Sequence, residues 1–259
     1  MIKICLAGAI GRMGNSIISE SENFPKISIV SGFVGPEDRT DILDIPLFND
    51  PNEIEKVCKG VDIWLDFTTP SAFISNLPLV VKQNVDIVVG TTGWYDKLEK
   101  VKEIIKNSDV SAVISPNFSP LVNLQFKMAE ISTKSLSKFG YDFGIVEEHH
   151  EGKLDVPSGT AEKLADIVMK NTDYEVKKFR ERGHYTKTHD ELDMASLRLK
   201  GTVGDHELRI RGNNGRMDIN TRIYSRKEFA RGSLYAVEWL YKNRKSGSIF
   251  EFYKDVLGF

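Results

Sequence analysis

The 259-residue sequence predicts an α/β fold, with a doubly wound parallel sheet joined to a second α+β domain that has a mixed or antiparallel sheet. Three observations lead to this prediction. Short apolar runs alternate with helical patterns up to residue 119, a glycine-rich turn directly follows the first run, and the segment from Leu192 to Tyr224 is β-rich. The first domain is therefore expected to be Rossmann-like.

In this first domain, the short β-rich runs are predicted to be buried strands of a parallel sheet. They are Ile2–Ala7, Ile27–Val34, Val61–Phe67, Val85–Val89 and Val110–Ile114. The segments between them predict helices, because their apolar residues recur at helical spacing. These helices run from near Gly11 to Ser21, from Ser71 to Gln83 and from Tyr95 to Asn107.

The pattern changes after Pro120. Leu121–Leu136 predicts a long helix, Asp142–Glu148 a strand, and the alternation on either side of Asn213-Asn214-Gly215 a hairpin. From Glu228 onward an amphipathic helix returns, and its apolar face is expected to pack on the first domain. The predicted domains are therefore 1–119, completed by 228–259, and 120–227.

Composition excludes several classes of partner. The formal net charge is -2, whereas a protein that binds phosphate backbones normally has a basic surplus, so nucleic acid is not expected as a partner. The only cysteines, Cys5 and Cys58, suggest no disulfide framework and favour a reducing compartment. No segment approaches the length of a membrane span or a secretory signal, so the expected location is cytoplasmic.

The glycine turn is GAIGRMG, in which Gly8, Gly11 and Gly14 lie between the first strand and a helix. Glycine lets the backbone approach a pyrophosphate, which the free N–H groups and the dipole of the helix would bind. Ile10 stands where the commoner fingerprint has a glycine. The turn alone also fits a tight connection without a ligand, but its place in the first βα unit favours a dinucleotide.

Two further polar loops follow strands, at the edge where ligands of open α/β sheets bind. They are Gly90-Thr91-Thr92-Gly93 and Ser115-Pro116-Asn117-Phe118-Ser119, and both suit contacts with a nicotinamide ring. The second strand should end at an acidic residue for the adenine ribose of NAD, or near an arginine for the extra phosphate of NADP. Glu37, Asp38 and Arg39 offer both, which leaves the preference open.

The densest chemistry is EEHHEGKLDVPSGTA, from Glu147 to Ala161. His149 and His150 can exchange protons near neutral pH, and Lys153 can bind a carboxylate or donate a proton. Pro157-Ser158-Gly159-Thr160 opens a helix, whose hydroxyls and unpaired N–H groups would cradle a carboxylate.

The same stretch is compatible with other kinds of site. No metal is expected, because adjacent strand side chains point to opposite faces and no H-x-x-x-H or C-x-x-C spacing is present. The serine also fits a simple helix cap. The glutamates are interpreted as a solvated cluster without assigned chemistry, and the remaining histidines as surface or structural residues; these are Glu147, Glu148, Glu151, His184, His189 and His206.

The segment E-x-H-H-x-x-K-x-D-x-P-S-G-T-A resembles the signature of the dihydrodipicolinate reductases, also called 4-hydroxy-tetrahydrodipicolinate reductases. GAIGRMG, GTTG and PNFS resemble the other motifs of that family, in the same order, so the resemblance spans essentially the whole chain. It implies reduction of 4-hydroxy-tetrahydrodipicolinate to tetrahydrodipicolinate by NADH or NADPH, in diaminopimelate and lysine biosynthesis. It also implies a homotetramer built by the second, substrate-binding domain.

The resemblance assigns roles residue by residue. His149 is implied as the acid/base and Lys153 as the proton donor, whereas four residues would hold the dicarboxylate: His150, Gly159, Thr160 and Thr92. The dinucleotide would contact the glycine turn and both polar loops, at Gly8, Ala9, Ile10, Gly11, Arg12, Met13, Gly90, Thr91, Thr92, Ser115, Pro116, Asn117 and Phe118. The sequence departs from the family at Gly35, which lies where many members have the acidic ribose ligand, and at Glu148, an added charge beside the histidines.

Three rival functions remain open at this point. Another NAD(P)-dependent dehydrogenase of two-domain layout is one, although a semialdehyde dehydrogenase needs a cysteine nucleophile and neither cysteine is suitably placed. A non-catalytic dinucleotide sensor is another, but it gives no reason for the His149–Lys153 arrangement. A metal-dependent hydrolase is the third, and it would be sensitive to chelators.

Overall fold

The computed structural model describes residues 1–41, 43–179 and 186–259. The chain divides into two compact units, Met1–Pro120 with Arg226–Phe259, and Leu121–Ser225. The first contains a seven-stranded parallel sheet and the second a five-stranded mixed sheet, which confirms the predicted fold class.

The first unit is a doubly wound sheet in the order β12-β6-β5-β4-β1-β2-β3. Its strands are β1 (Ile2–Ala7), β2 (Ile27–Phe33), β3 (Leu47–Phe48), β4 (Ile63–Asp66), β5 (Asp86–Val89), β6 (Ala112–Ile114) and β12 (Ile249–Glu251). Its α-helices are α1 (Arg12–Ser21), α2 (Ile54–Val57), α3 (Pro70–Val81), α4 (Leu98–Lys106) and α7 (Lys227–Asn243). The predicted strands and helices of residues 1–119 are present, with ends that differ by at most three residues.

Alternating side chains of this sheet supply two separate cores. Ile4 and Leu6 point toward the face covered by α1 and α7, whereas Cys5 and Ala7 point toward the face covered by α2, α3 and α4. Burial on both faces explains why these strands read as continuous apolar runs. The sequence prediction missed β3 and β12, which are only two and three residues long.

The second unit contains α5 (Pro120–Leu136), β7 (Asp142–His149), α6 (Gly159–Lys170), β8 (Val176–Phe179), β9 (Glu191–Arg198), β10 (Gly204–Arg211) and β11 (Arg216–Ile223). The sheet order is β11-β10-β7-β9-β8. β10 pairs antiparallel with β11, as the predicted hairpin requires, and also with β7. However, β7 pairs parallel with β9 and β8 with β9, so consecutive antiparallel pairing is correct for only part of the sheet.

One face of this second sheet is buried, and its character changes along the strands. At one end it is apolar, with Phe143, Ile145, Met194 and Leu208. Further along the same face, Glu147 is in register with His206 of β10 and with Ser196 of β9. Strand alternation therefore collects polar side chains at the end of β7, on the buried face.

Candidate active site

The glycine turn of the first unit fits a dinucleotide phosphate. Gly8 has φ +83°, and a Cβ on Gly14 would lie 2.2 Å from the Gly8 carbonyl oxygen, so neither position has room for a side chain. Gly11 caps α1 without a side-chain bond, and the first turn of the helix carries no acidic residue. The first N–H groups of α1 have no partner within the helix, and the helix dipole favours an anion there. The residues present therefore suit the pyrophosphate of NADH or NADPH.

The residues of this turn that are predicted to contact the dinucleotide differ in their exposure to solvent. Gly11 and Arg12 are exposed, whereas Gly8, Ile10 and Met13 are half-buried. Ala9 is fully buried, and its methyl group packs against Gly32 in the core. Ala9 therefore offers only its backbone to a ligand.

The loop after β5 is anchored by a carboxylate that the sequence interpretation did not single out. Asp66, at the end of β4, is fully buried. It accepts hydrogen bonds from Trp64 Nε1 at 2.8 Å, from the Thr68 hydroxyl at 2.7 Å and from the Thr91 hydroxyl at 2.7 Å. The Thr91 hydroxyl is thus engaged, whereas Thr92 and Gly93 are exposed and Gly90 is half-buried.

The loop after β6 is also held by its own polar groups. The Ser115 hydroxyl donates to the Asn117 carbonyl at 2.7 Å, and the Ser119 hydroxyl donates to Glu228 at 3.0 Å. Phe118 is buried against Phe67 and Phe252. Pro116 is exposed, so this loop presents Pro116 and its backbone rather than the Phe118 ring.

The loop after β2 carries the charges that would select between the two dinucleotides. The Gly35 N–H donates to the Asp38 carboxylate at 2.7 Å. Arg39 makes two hydrogen bonds to Asp41, at 2.8 and 2.9 Å, and both side chains are exposed. A 2′-phosphate at this loop would have to compete with Asp41 for the guanidinium.

In the second unit, the end of β7 holds a buried cluster of Glu147, His149 and His206. His149 Nδ1 lies 3.2 Å from Glu147 Oε2, although the ring N–H is not aligned with that oxygen in this conformation. The two imidazole rings are 5.1 Å apart and nearly perpendicular. The sequence interpretation of Glu147 as a solvated charge was wrong, because the residue is only 1% exposed.

Glu147 is stabilised as a carboxylate by several donors. Oε1 accepts the Ser196 hydroxyl at 2.7 Å and Arg198 at 3.3 Å, and Oε2 accepts the Ser158 N–H at 3.1 Å. Burial raises the pKa of Glu147, but the nearby His149 and hydrogen bonds from Ser158 and Ser196 outweigh it and bring that pKa well below its usual range. The cluster therefore contains a permanent negative charge at neutral pH.

His206 was set aside in the sequence interpretation as surface or structural, but it is a member of this cluster. Its Nε2 lies 2.9 Å from the Ser158 hydroxyl and 3.9 Å from Glu147 Oε2, and its Nδ1 is buried without a hydrogen bond. Burial, followed by the positive charge of His149, lowers the pKa of His206 to about 3. His206 is neutral at physiological pH. The sequence carries no signal for this role, because His206 reaches the cluster only through the pairing of β10 with β7.

Lys153 lies on the loop between β7 and α6, which Arg198 holds in place. The guanidinium of Arg198 donates to the carbonyl oxygens of Lys153 and Asp155, at 3.2 and 2.7 Å, as well as to Glu147. Lys153 Nζ is 2.8 Å from both carboxylate oxygens of Asp155. The hydrogen bond from Lys153 lowers the pKa of Asp155. An incoming carboxylate would replace Asp155 as the partner of this ammonium group.

The PSGT segment begins α6, as predicted. Ser158 is the N-cap and accepts the Ala161 N–H at 3.2 Å. Gly159 is exposed, and no atom lies within 4 Å of where its Cβ would be, so the helix N-terminus is open on that side. His150 is half-buried, and His189 is exposed. His184 lies outside the described residues.

The cluster contains residue types that can also bind a metal ion. One ligand atom from each of Glu147, His149 and His206 lies within 4.8 Å of the others. However, the carboxylate already accepts from Ser158, Ser196 and Arg198, and the guanidinium would repel a cation. The donor set therefore favours proton exchange and anion binding over a metal ion.

Neither cysteine fits a nucleophilic role. Cys5 and Cys58 are both buried and unpaired. Burial raises the pKa of the Cys58 thiol to about 12 and that of Cys5 still further, so neither forms a thiolate at neutral pH. This argues against the rival semialdehyde dehydrogenase.

Comparison with known families decides the assignment. Residues 2–118 match the family described as dihydrodipicolinate reductase, N-terminus, and residues 122–257 match dihydrodipicolinate reductase, C-terminus. The chain belongs to the dihydrodipicolinate reductase family. It is thus an NAD(P)H-dependent oxidoreductase, and the family resemblance of the sequence motifs is confirmed.

Relatives named 4-hydroxy-tetrahydrodipicolinate reductase align with nearly the whole chain. The sequence is 33% identical to 4-hydroxy-tetrahydrodipicolinate reductase of Aquifex aeolicus, with 99% of each chain covered. It is 34% identical to the enzyme of that name from Methanocaldococcus jannaschii, with 100% of this chain and 98% of the relative covered.

Solved structures support the fold. A dipicolinate-bound dihydrodipicolinate reductase from Paenisporosarcina sp. TG-14 superimposes with a TM-score of 0.77 at 23% identity, covering 97% of each chain. Diaminopimelate dehydrogenase of C. glutamicum, in complex with diaminopimelate, gives a TM-score of 0.59 at 11% identity, covering 98% of this chain and 93% of the other. Among the described residues, no helix is long and apolar enough to cross a membrane.

Proposed function

We propose that this member of the dihydrodipicolinate reductase family reduces 4-hydroxy-tetrahydrodipicolinate to tetrahydrodipicolinate with NADH or NADPH, in diaminopimelate and lysine biosynthesis. The observation that carries the residue assignment is the buried Glu147–His149–His206 cluster beside the Lys153 loop. When bound, the dinucleotide supplies a hydride. The net reaction adds this hydride and one proton to the substrate and releases its hydroxyl group as water, so the protein must supply the proton.

His149 is the acid/base of this reaction, and Lys153 is the proton donor. The Lys153 ammonium group already holds one carboxylate, that of Asp155, with both of its oxygens 2.8 Å from Nζ. His150, Gly159 and Thr160 bind the dicarboxylate in the second unit, where the open N-terminus of α6 favours an anion. Thr92, which is exposed, stays a predicted contact of the substrate. A dipicolinate-bound relative supports a small dicarboxylate as the ligand.

The dinucleotide is held by the glycine turn from Gly8 to Met13 and by the loops at Gly90–Thr92 and Ser115–Phe118. The absence of room for side chains at Gly8 and Gly14 supports this assignment, because a phosphate needs close approach to the backbone. NADH and NADPH are both retained, since the loop after β2 offers Asp38 and Arg39 together.

The assay follows the loss of reduced-nicotinamide absorbance with freshly generated 4-hydroxy-tetrahydrodipicolinate, with NADH and NADPH in parallel. Oxidation of at least one dinucleotide is expected, and the ratio of the two values of kcat/KM gives the preference. No oxidation with either, by folded protein that binds dinucleotide, would contradict the proposed reaction.

The roles of the two side chains are tested in the same assay. His149→Ala and Lys153→Ala should each lower kcat about 100-fold or more, which is the usual contribution of a general acid or base. The Kd for NADH, measured by its fluorescence, should stay unchanged in both variants. A collapse of NADH affinity with turnover retained would show that these residues bind the dinucleotide instead.

Location and assembly complete the proposal. We place the chain in the cytoplasm, because unpaired thiols such as Cys5 and Cys58 persist in a reducing compartment. We also propose a homotetramer built by the second unit. Its helix α5 supports this, because it carries an exposed apolar stripe made of Leu121, Leu124, Met128 and Ile131.

A further inference from the structure

We propose that Glu147 is a positioning residue, which keeps the proton of His149 on Nδ1 and leaves Nε2, beside Gly204, as the ring atom that exchanges the proton with substrate. This inference rests on the proposed acid/base role of His149. It gives a role in catalysis to two further residues, Glu147 and Gly204, to which the proposed reaction alone assigns none.

The first step concerns the side of the ring that faces Glu147. Oε2 lies 3.2 Å from His149 Nδ1, and the next nearest imidazole nitrogen, His206 Nε2, is 3.9 Å away. A carboxylate can only accept hydrogen bonds, so the nitrogen facing it is favoured as N–H. The neutral ring then carries its lone pair on Nε2. Catalytic hydrogen bonds are often poorly aligned in an enzyme without its ligand and tighten when the substrate binds.

The second step is that Glu147 is fixed, so it can orient another side chain. Ser196 and Arg198 hold Oε1, and the Ser158 N–H holds Oε2. The three donors come from β9 and from the start of α6. With its side chain 1% exposed, the carboxylate has no alternative position in solvent. Its charge and its geometry are therefore both set by the fold.

The third step concerns the opposite edge of the ring. A Cβ on Gly204 would lie 3.0 Å from His149 Nε2 and 3.3 Å from its Cδ2. Gly204 is buried, and the absence of a side chain there leaves the Nε2 edge of the His149 ring uncrowded, although His149 as a whole is only 7% exposed. Gly204 is not among the glycines with positive φ, so its backbone conformation does not require glycine. The missing side chain is therefore best explained by the room that the Nε2 edge of this ring needs.

The direct test is the tautomer of His149 in the wild-type protein. Nitrogen-15 NMR of histidine-labelled protein distinguishes a protonated ring nitrogen from an unprotonated one, and His149→Gln identifies the His149 signals by their loss. At a pH where the ring is neutral, we expect Nδ1 to carry the proton. A proton on Nε2 would overturn the proposal. Because this readout does not depend on turnover, it separates the positioning role from the proposed reaction.

Removal of the negative charge provides the second test. Glu147→Gln should lower kcat about 100-fold while changing KM and the Kd for NADH little, and His149 should lose its preference for Nδ1 protonation. Glu148→Gln is the matched control, because Glu148 lies on the opposite face of β7 and bonds to the Thr202 hydroxyl. Equal losses in both variants, or an unchanged tautomer in folded Glu147→Gln, would contradict the positioning role.

The third test fills the space beside Nε2. Gly204→Ala should lower kcat/KM at least about 10-fold, because a displacement of a few tenths of an ångström matters at a reacting atom. Gly215→Ala is the control, since no atom lies within 4 Å of that Cβ position. Full activity of Gly204→Ala would show that the position of the His149 ring does not depend on the missing side chain at Gly204. This variant remains informative even if Glu147→Gln does not fold.

Discussion

Glu147 and His206 lie in register on β7 and β10, and both are buried. Their pKa values nevertheless leave Glu147 charged and His206 neutral at physiological pH. Burial disfavours the charged form of each. Glu147 overcomes this penalty through the nearby His149 and through donors from Ser158 and Ser196, whereas His206 has only the Ser158 hydroxyl and its pKa is lowered further by His149. One site thereby contains a fixed carboxylate next to a neutral imidazole.

This difference predicts how the stability of the protein depends on pH. The pKa of His206 falls from 6.5 to about 3 on folding, so the unfolded chain binds more protons between those values and stability decreases as pH falls below 6.5. The free energy of unfolding should fall by up to about 1.4 kcal/mol per pH unit through this residue. His206→Gln should show a shallower decrease.

Urea denaturation at several pH values between 6.5 and about 5 measures this slope, above the range in which an unfolded glutamate titrates. The contribution of Glu147 has the same sign, because its pKa is also lowered on folding, but it is lost only at more acidic pH. Identical slopes for wild-type protein and His206→Gln would show that His206 does not titrate between the two states.

At the scale of single residues, the sequence could indicate His149 and Lys153 because both stand in one short chemical motif. It could not indicate His206, which is 57 positions beyond His149 and reaches it only through strand pairing. Glu147 was misjudged for a related reason. Glu147, Glu148 and His149 form a polar run that suggests exposure to solvent. In the strand, however, alternate residues of this run face the buried side of the sheet.

The βα turn at Gly8–Gly14 is the clearest case in which an element depends on missing side chains. A Cβ on Gly14 would be 2.2 Å from one carbonyl oxygen and 2.3 Å from another, whereas a Cβ on Gly11 would be 3.2 Å from its nearest neighbour. Neither Gly11 nor Gly14 has positive φ. A difference between alanine variants at the two positions therefore reports the room for a side chain and not a strained backbone conformation.

Gly14→Ala should therefore abolish tight NADH binding and lower the thermal stability, because the turn must open to admit the methyl group. Gly11→Ala should weaken NADH binding less, with little change in Tm. Fluorescence titration with NADH and thermal denaturation of both variants provide the measurements. Equal behaviour of the two variants would contradict this account of the turn.

At the scale of elements, strands of four residues or more in the first unit could be predicted because burial on both faces makes them uniformly apolar. The missed strands β3 and β12 are the two edge strands of the sheet, and they are only partly buried, so they lack the buried apolar run of an inner strand such as β6. β8 was also missed, since its sequence VKKF carries two lysines and resembles a surface segment. Parallel pairing of β7 with β9 depends on the crossover between them, which no local pattern encodes.

At the scale of the whole molecule, the exposed stripe of α5 bears on assembly. Its four residues recur at intervals of three and four, and the stripe includes Ile131 at 55% exposure. Such a face on a helix is costly to leave in water and is typical of a contact between copies.

Met128→Glu should shift the proposed tetramer toward smaller species, because it places a charge in the middle of this stripe. Lys127→Glu is the control on the same helix, since Lys127 lies beside the stripe and pairs with Glu130. Sedimentation velocity measures the species. Wild-type protein that sediments as a monomer, or equal shifts in both variants, would contradict assembly through α5.

The first unit is made from two stretches of chain, Met1–Pro120 and Arg226–Phe259. Leu234, Val237 and Leu240 of α7 join Leu6 and Leu65 in one core, and β12 closes the edge of the sheet beside β6. During synthesis on a ribosome, the strands from the amino-terminal stretch therefore emerge more than a hundred residues before the helix that covers them. Until α7 is made, the nascent chain exposes the part of one apolar sheet face that α1 does not cover, which is a surface that chaperones bind and that aggregation exploits.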